Sequence, residues 1–232
     1  MSKHHNSSTI CYTNHNTFEQ KTKAVLILLE DTGERVIPEL MDPMNNLLLE
    51  HISRYQFAMS YLHGRVLDLS CGSGYGTHLM VKKKKREVQE VVGVDIDAEI
   101  IHYAKGKYYH PKSNFLVADA TSESLVNDLG TFDVIVSFET IEHIEDEERL
   151  LNNYYELLKP NGTLIVSTPF GKGRGVPCGS PFHVHQLRPD EFYALFTRYS
   201  NTSFFLQDGV LIEPYPGRKD VYYPLGIAVC RK

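Results

Sequence analysis

The sequence has no hydrophobic run long enough to cross a bilayer. Its longest, Ala24 to Leu29, is six residues, against the roughly 20 that a spanning helix needs. No apolar stretch follows a basic amino terminus, so there is no signal-peptide pattern, and a cytoplasmic chain without membrane insertion is expected. Cysteine is scarce: Cys11, Cys71, Cys178 and Cys230 lie far apart with no C-x-x-C pair, which excludes a zinc ribbon and a disulfide-stapled secreted domain. Basic charge is not in excess, because 24 Lys and Arg face 29 Asp and Glu for a net −5. No global field draws the chain to phosphate backbones, and nucleic acid is not expected as a partner. The one basic run, Lys82 to Arg86, reads as a solvated helix end favoured by the dipole. What remains is a globular chain of 232 residues, 42% apolar, with ordinary glycine and proline content. That length holds one domain, with or without an appendage. Nothing in it encodes an oligomeric state.

Residues 1–20 are rich in His, Asn, Ser and Thr and lack apolar periodicity, so they are expected to form a mobile arm; His4 and His5 are too few for a metal tract. Asp42-Pro43 reads as an N-cap followed by proline at the first helical position. Leu48, Leu49, Ile52, Tyr55, Gln56 and Met59 then recur at helical spacing until Gly64. Beyond it, apolar runs at 65–70, 91–95, 114–118, 132–138 and 163–168 are separated by helix-like segments. This is βαβ rhythm, and it predicts a doubly wound, Rossmann-like α/β sheet with helices on both faces and ligands at the carboxyl ends of its strands. A helix over Pro189 to Tyr199 precedes two strand-like runs, Thr202 to Val210 and Val221 to Cys230, joined by Glu213 to Asp220. With no helix between them these runs predict a terminal antiparallel hairpin.

The first strand runs into Asp68-Leu69-Ser70-Cys71-Gly72-Ser73-Gly74-Tyr75-Gly76, a glycine-rich strand-to-helix turn that admits a ligand to the backbone at a helix amino terminus. A dinucleotide is the rival ligand, but Asp68 sits where a pyrophosphate would be repelled. S-adenosylmethionine fits instead, being cationic and free of phosphate. At the second strand's tip, Asp95 suits ribose hydroxyls, and at the third, Asp119 suits an adenine amino group.

Over residues 60–230 the sequence resembles the class I S-adenosylmethionine-dependent methyltransferases. The resemblance implies seven strands and assigns Asp68 and Gly72 to the methionine end, Asp95 to the ribose, Ile96 to an adenine face and Asp119 to the adenine edge. Ser70, Gly74, Tyr75, Ala120 and Phe138 flank the same strand ends and complete the expected cofactor set with Arg54. Gly33-Glu34-Arg35-Val36-Ile37-Pro38 and His51-Ile52-Ser53-Arg54-Tyr55 further resemble a bacterial subgroup linked to glycosyltransferases and surface polysaccharides. By that resemblance this region packs across the cofactor mouth, with Arg35, Arg54 or Tyr55 holding the methionine carboxylate. Residues 1–41 are then an arm and covering segment, and 42–232 the methyltransferase domain.

The fourth strand ends in Glu139-Thr140-Ile141-Glu142-His143. If the chain turns helical there, the two acids and the imidazole share one face. His183 follows on the glycine-containing loop Pro169 to Leu187, which is expected to move or adapt around an acceptor. Two readings stay open. In one, Glu139, Glu142, His143 and His183 hold Mg or Mn, as the E-x-x-E-H run does in the small-RNA terminal 2′-O-methyltransferases and ubiquinone-pathway O-methyltransferases it resembles. In the other, His143 or His183 is a general base oriented by Glu139 or Glu142. Several bases favour an oxygen acceptor on a small molecule or glycan. Tyr215, Tyr222 and Tyr223 are placed to stack on a ring. N-methylation of a small amine or peptide, or a non-catalytic cofactor-binding module, are the alternatives.

Overall fold

The computed structural model describes residues 35–232. The expected arm, Cys11 and the Gly33-Glu34 pair lie outside the described residues. Val36 to Lys232 form one compact unit.

After a short 3-10 turn at Pro38–Leu40, the first helix, α1, spans Asn46–Ala58. Its cap is Asn45, whose side chain accepts from Leu48 N at 3.2 Å, and not Asp42 as expected. Asp42 spends its carboxylate on Met44 N at 2.8 Å, a local turn, and the cap falls three residues later. The helix also stops before Gly64, which opens β1.

Then follow β1 (Gly64–Leu69), α2 (Tyr75–Lys83), β2 (Val88–Asp95), α3 (Ala98–Lys107), β3 (Ser113–Val117), α4 (Leu125–Leu129) and β4 (Phe132–Phe138). After these come α5 (Glu147–Leu157), β5 (Leu158–Pro169), α6 (Pro189–Ala194), β6 (Asn201–Asp208), β7 (Leu211–Pro214) and β8 (Leu225–Arg231). The strand order is β3-β2-β1-β4-β5-β8-β6-β7, with the first five parallel and the rest antiparallel. Sequence order reverses between β1 and β4, which opens the crevice at the carboxyl ends of the parallel strands.

The expected architecture holds with eight strands in place of seven. The extra one is β7. The Asp208-Gly209 pair turns the chain back so that Asp208 pairs with Leu211, and Leu211–Pro214, which overlaps the start of the expected connection, forms an edge strand. The α6 helix is shorter than expected because Leu195 N and Tyr199 N bond three residues back, to Phe192 and Phe196 carbonyls, and the chain continues as turns. One core cluster, containing Phe132, Tyr154, Phe192 and Phe196, lies on the α5 and α6 face. A second, containing Tyr55, Met80 and Val134, lies under α1 and α2. Burial on both faces explains why the parallel strands read as continuous apolar runs. Lys82 to Arg86 end α2 as a mostly exposed basic run. Among the described residues Cys71, Cys178 and Cys230 are unpaired thiols. None of the helices searched is long and apolar enough to span a membrane.

Candidate functional site

The glycine-rich turn sits at the reversal point. Cys71 N donates to Val94 O at 2.8 Å and Gly72 N to Asp95 Oδ2 at 2.9 Å, so the turn is docked onto the tip of β2. Gly72 has φ +53° and open space where a Cβ would stand, a cradle that a ligand can enter. Gly76 answers a different demand, since a Cβ there would lie 1.9 Å from the Tyr55 ring; α1 can pack on α2 only without it. Gly74 is the residue before α2, and Ser70, at the turn's start, is half-buried with φ +67°. Such a positive φ on a non-glycine residue marks a turn held by its surroundings. Ser73 Oγ donates to Val36 O at 2.8 Å, which lays the segment after Arg35 against the turn. Arg35 itself is half-buried.

Asp68 is 1% exposed and accepts from Thr77 Oγ1 at 2.6 Å and from Tyr55 Oη at 3.2 Å. It therefore ties β1 to α1 and α2. Burial, with Asp95 adding to it, pushes its pKa up to about 7 despite those two bonds. Asp95 is half-exposed and also receives Asp97 N at 3.1 Å. Ile96 is 68% exposed beside it, an apolar face at the crevice. Asp119 is exposed, with Oδ1 accepting from Thr121 N and Oγ1. Ala120 and Phe138 are buried in the two cores, and the Phe138 ring stands 5.1 Å from that of Tyr55.

Arg54 is 1% exposed. Its Nη1 donates to Gln207 Oε1 at 3.0 Å, its Nη2 lies 3.7 Å from Glu139 Oε1, and its Nε has no partner among the described residues. The Tyr75 hydroxyl is likewise buried and unpartnered, and burial raises its pKa, with Arg54 opposing and Asp68 and Glu139 adding. Both orphaned donors, one of them on the buried guanidinium itself, are of a kind that a carboxylate satisfies.

The expectation that Glu139, Glu142 and His143 share a helical face is corrected. Only Ile141–His143 form a 3-10 turn, and Glu139 precedes it at φ +50°. Its carboxylate faces Arg54 and accepts from Ser167 Oγ at 3.3 Å. Strand β4 ends before the turn begins, so the i, i+3, i+4 spacing does not apply. Glu142, His143 and His183 do come together, with one potential ligand atom from each lying within 4.8 Å of the others. Glu142 is 1% exposed; Oε2 accepts from Thr168 Oγ1 at 2.9 Å and Oε1 is buried without a partner. Burial, reinforced by Glu139, holds its pKa well above the usual carboxylate range. The His143 Nδ1 lies 3.0 Å from Phe182 O, and Nε2 is the ring nitrogen outside that contact. The His183 Nδ1 meets the Gln186 amide at 3.0 Å, and the two imidazoles cross at 82° with centroids 4.8 Å apart.

Several contacts cross the loop expected to move or adapt. Val184 N donates to Glu142 O at 2.8 Å, Arg174 pairs with Glu147 at 2.6 Å, and Phe170 bridges Leu187. Sequence reasoning passed over Thr77, Thr168 and Gln207. None carries a local signal, because each acts through a partner on a distant element.

The family model for the methyltransferase domain matches residues 62–209. A probable S-adenosylmethionine-dependent methyltransferase of Mycobacterium tuberculosis is 34% identical over 177 residues, 74% of this chain and 60% of that protein. The chain thus spans about 60% of that relative's length. Phosphoethanolamine N-methyltransferase 1 of Zea mays is 35% identical over 49% of this chain and 22% of its own. The crystal structure of a SAM-dependent methyltransferase from Archaeoglobus fulgidus superposes with a TM-score of 0.58 at 16% identity, covering 81% of this chain and 95% of that one.

Proposed function

Because the chain belongs to the class I S-adenosylmethionine-dependent methyltransferases, we propose that it transfers the cofactor's methyl group to a hydroxyl of a small molecule or glycan. The observation that carries the oxygen reading is the convergence of Glu142, His143 and His183 within 4.8 Å at the end of β4.

The residues present fit the cofactor. The open cradle at Gly72, the half-exposed Asp95 and the exposed Ile96 provide for the ribose and the adenine. The orphaned Arg54 Nε and Tyr75 Oη provide donors for a carboxylate. Bound there, the cofactor supplies an electrophilic methyl on a sulfonium, open to in-line displacement. The protein's task is to align an acceptor oxygen and remove its proton. His143, its Nδ1 held by the Phe182 carbonyl, presents Nε2 as the base. Glu142, anchored by Thr168, lies beside it to orient the imidazole. A carboxylate with an unpartnered oxygen and two imidazoles also fits a divalent cation such as Mn or Mg, held by Glu142, His143 and His183. Held there, an ion would lower the pKa of a coordinated hydroxyl. Glu139, turned to Arg54, is left to order the methionine end.

The test is a radiolabelled methyl-transfer screen of hydroxyl and amine acceptors, with and without chelator. Transfer to a hydroxyl that falls on the order of 10²- to 10⁴-fold in His143→Ala is expected. Loss on chelation with rescue by Mn or Mg assigns the ion. Transfer to amines alone, unchanged in His143→Ala, refutes the oxygen reading.

A further inference from the structure

A second cavity, of about 610 Å³, opens beyond the end of β5, between α6 and the chain that joins β7 to β8. That volume lies within the range of small-molecule sites, roughly 300–1,000 Å³. Its walls are aromatic: Phe170, Tyr193, Tyr215, Tyr222 and Tyr223. Tyr223 is buried, its hydroxyl committed to Glu213 at 2.7 Å. Tyr215 and Tyr222 are 53% and 76% exposed, and neither hydroxyl has a hydrogen bond among the described residues. The Tyr193 and Tyr215 rings meet at 4.9 Å and 67°, so they form adjoining walls.

The rim is charged but balanced. Arg188 donates from Nε and Nη2 to the two oxygens of Asp190 at 3.0 and 3.1 Å, and behind Tyr223 the Glu213 carboxylate is matched by Arg218. A cationic ligand finds no unpaired carboxylate and an anionic one no unpaired guanidinium. Ring faces, idle phenol hydroxyls and a bidentate ion pair that can donate and accept side by side suit a neutral polyhydroxylated ring, apolar on its C–H face and polar at its edge.

The cavity also adjoins the proposed chemistry along the chain. Phe170 is two residues beyond Thr168, which holds Glu142, and Gly171 packs against Gln186, which meets His183. We propose that this tyrosine-walled cavity is a pyranose-binding subsite that holds a glycan acceptor beside the transfer site. Its role as an acceptor holder rests on the proposed hydroxyl transfer; its sugar binding does not.

Saturation-transfer NMR on the full chain tests this with methyl β-D-glucopyranoside and methyl β-D-galactopyranoside, with tetramethylammonium and phenol as competing probes. The expected result is transfer to the C–H protons of at least one pyranoside, weakened about two- to tenfold in Tyr222→Ala and in Tyr215→Ala, with S-adenosylmethionine affinity unchanged. Both tyrosines are exposed, so truncation spares the core. No pyranoside response from a chain that binds the cofactor overturns the proposal. So does a response to tetramethylammonium or phenol alone, or a pyranoside response that neither substitution moves. Pyranoside binding by a chain without hydroxyl-transfer activity would refute the proposed function and leave the sugar site standing.

Discussion

Asp68→Asn separates what the buried acid does for folding from what it does for the cofactor. In the folded chain Asp68 is sealed by Tyr55 and Thr77, and its pKa is pushed from 3.8 up to about 7. In the unfolded chain it ionises near 3.8. The folded state therefore holds a proton that the unfolded state has lost, and the protonated carboxyl's contribution to stability is full below pH 4 and fades as pH rises through 7. The rise from 3.8 to about 7 corresponds to a loss of about 4 kcal/mol across that window. Asparagine cannot ionise, so the variant escapes the loss. It does sacrifice one acceptor between two hydroxyl donors, about 1–2 kcal/mol. The variant should thus be less stable than the parent at pH 4 and more stable at pH 8, with the difference changing sign between. Urea unfolding at a series of pH values from 4 to 8 measures this, and subtracting the parent removes contributions from other titrating groups. A difference that stays flat with pH refutes the assignment of a raised pKa to Asp68.

Two glycines, one in the turn after β1 and one in the first turn of α2, should fail in different ways. Gly72→Ala costs only about 1–2 kcal/mol for its positive φ yet blocks the open cradle, so calorimetry should show cofactor binding lost from a chain that still melts cooperatively. Gly76→Ala drives a methyl into Tyr55 and should lower thermal stability by at least about 1–3 kcal/mol; parental melting would contradict the packing of α1 on α2. Glu142→Gln should leave the fold intact and gain stability relative to the parent as pH rises, because burial raises the pKa of Glu142. Its transfer rate should fall on the order of 10²-fold, and an unchanged rate removes Glu142 from the proposed chemistry. Arg174→Ala, which breaks the pairs with Glu147 and Glu191, should cost no more than about 1 kcal/mol globally while hydrogen exchange speeds up across residues 171–187. Unaltered exchange there shows that the other ties suffice.

The sequence alone determined the parallel half of the sheet, the glycine-rich turn after β1 and the acids at the tips of β1, β2 and the segment after β3. These are local features: buried strands are short apolar runs, a turn declares itself by its glycines, and a strand tip lies within two residues of the end of its run. The Asp208-Gly209 turn before β7 is a local feature too, but the apolar runs carried one strand through it, from Thr202 to Val210. Tertiary structure decided the rest. Asn45 rather than Asp42 caps α1 because the Asp42 carboxylate found a nearer backbone donor. Glu139 turned to Arg54 and left Glu142 with two histidines where the residue after β4 takes a positive φ, which no spacing rule anticipates. The partners that give Asp68, Glu142 and Arg54 their chemistry are Thr77, Thr168 and Gln207. Each lies on another element, and in the case of Gln207 it is 153 residues away along the chain. Local pattern fixes which groups reach a strand end, but only packing fixes which of them meet, how dry they are and therefore what charge they carry.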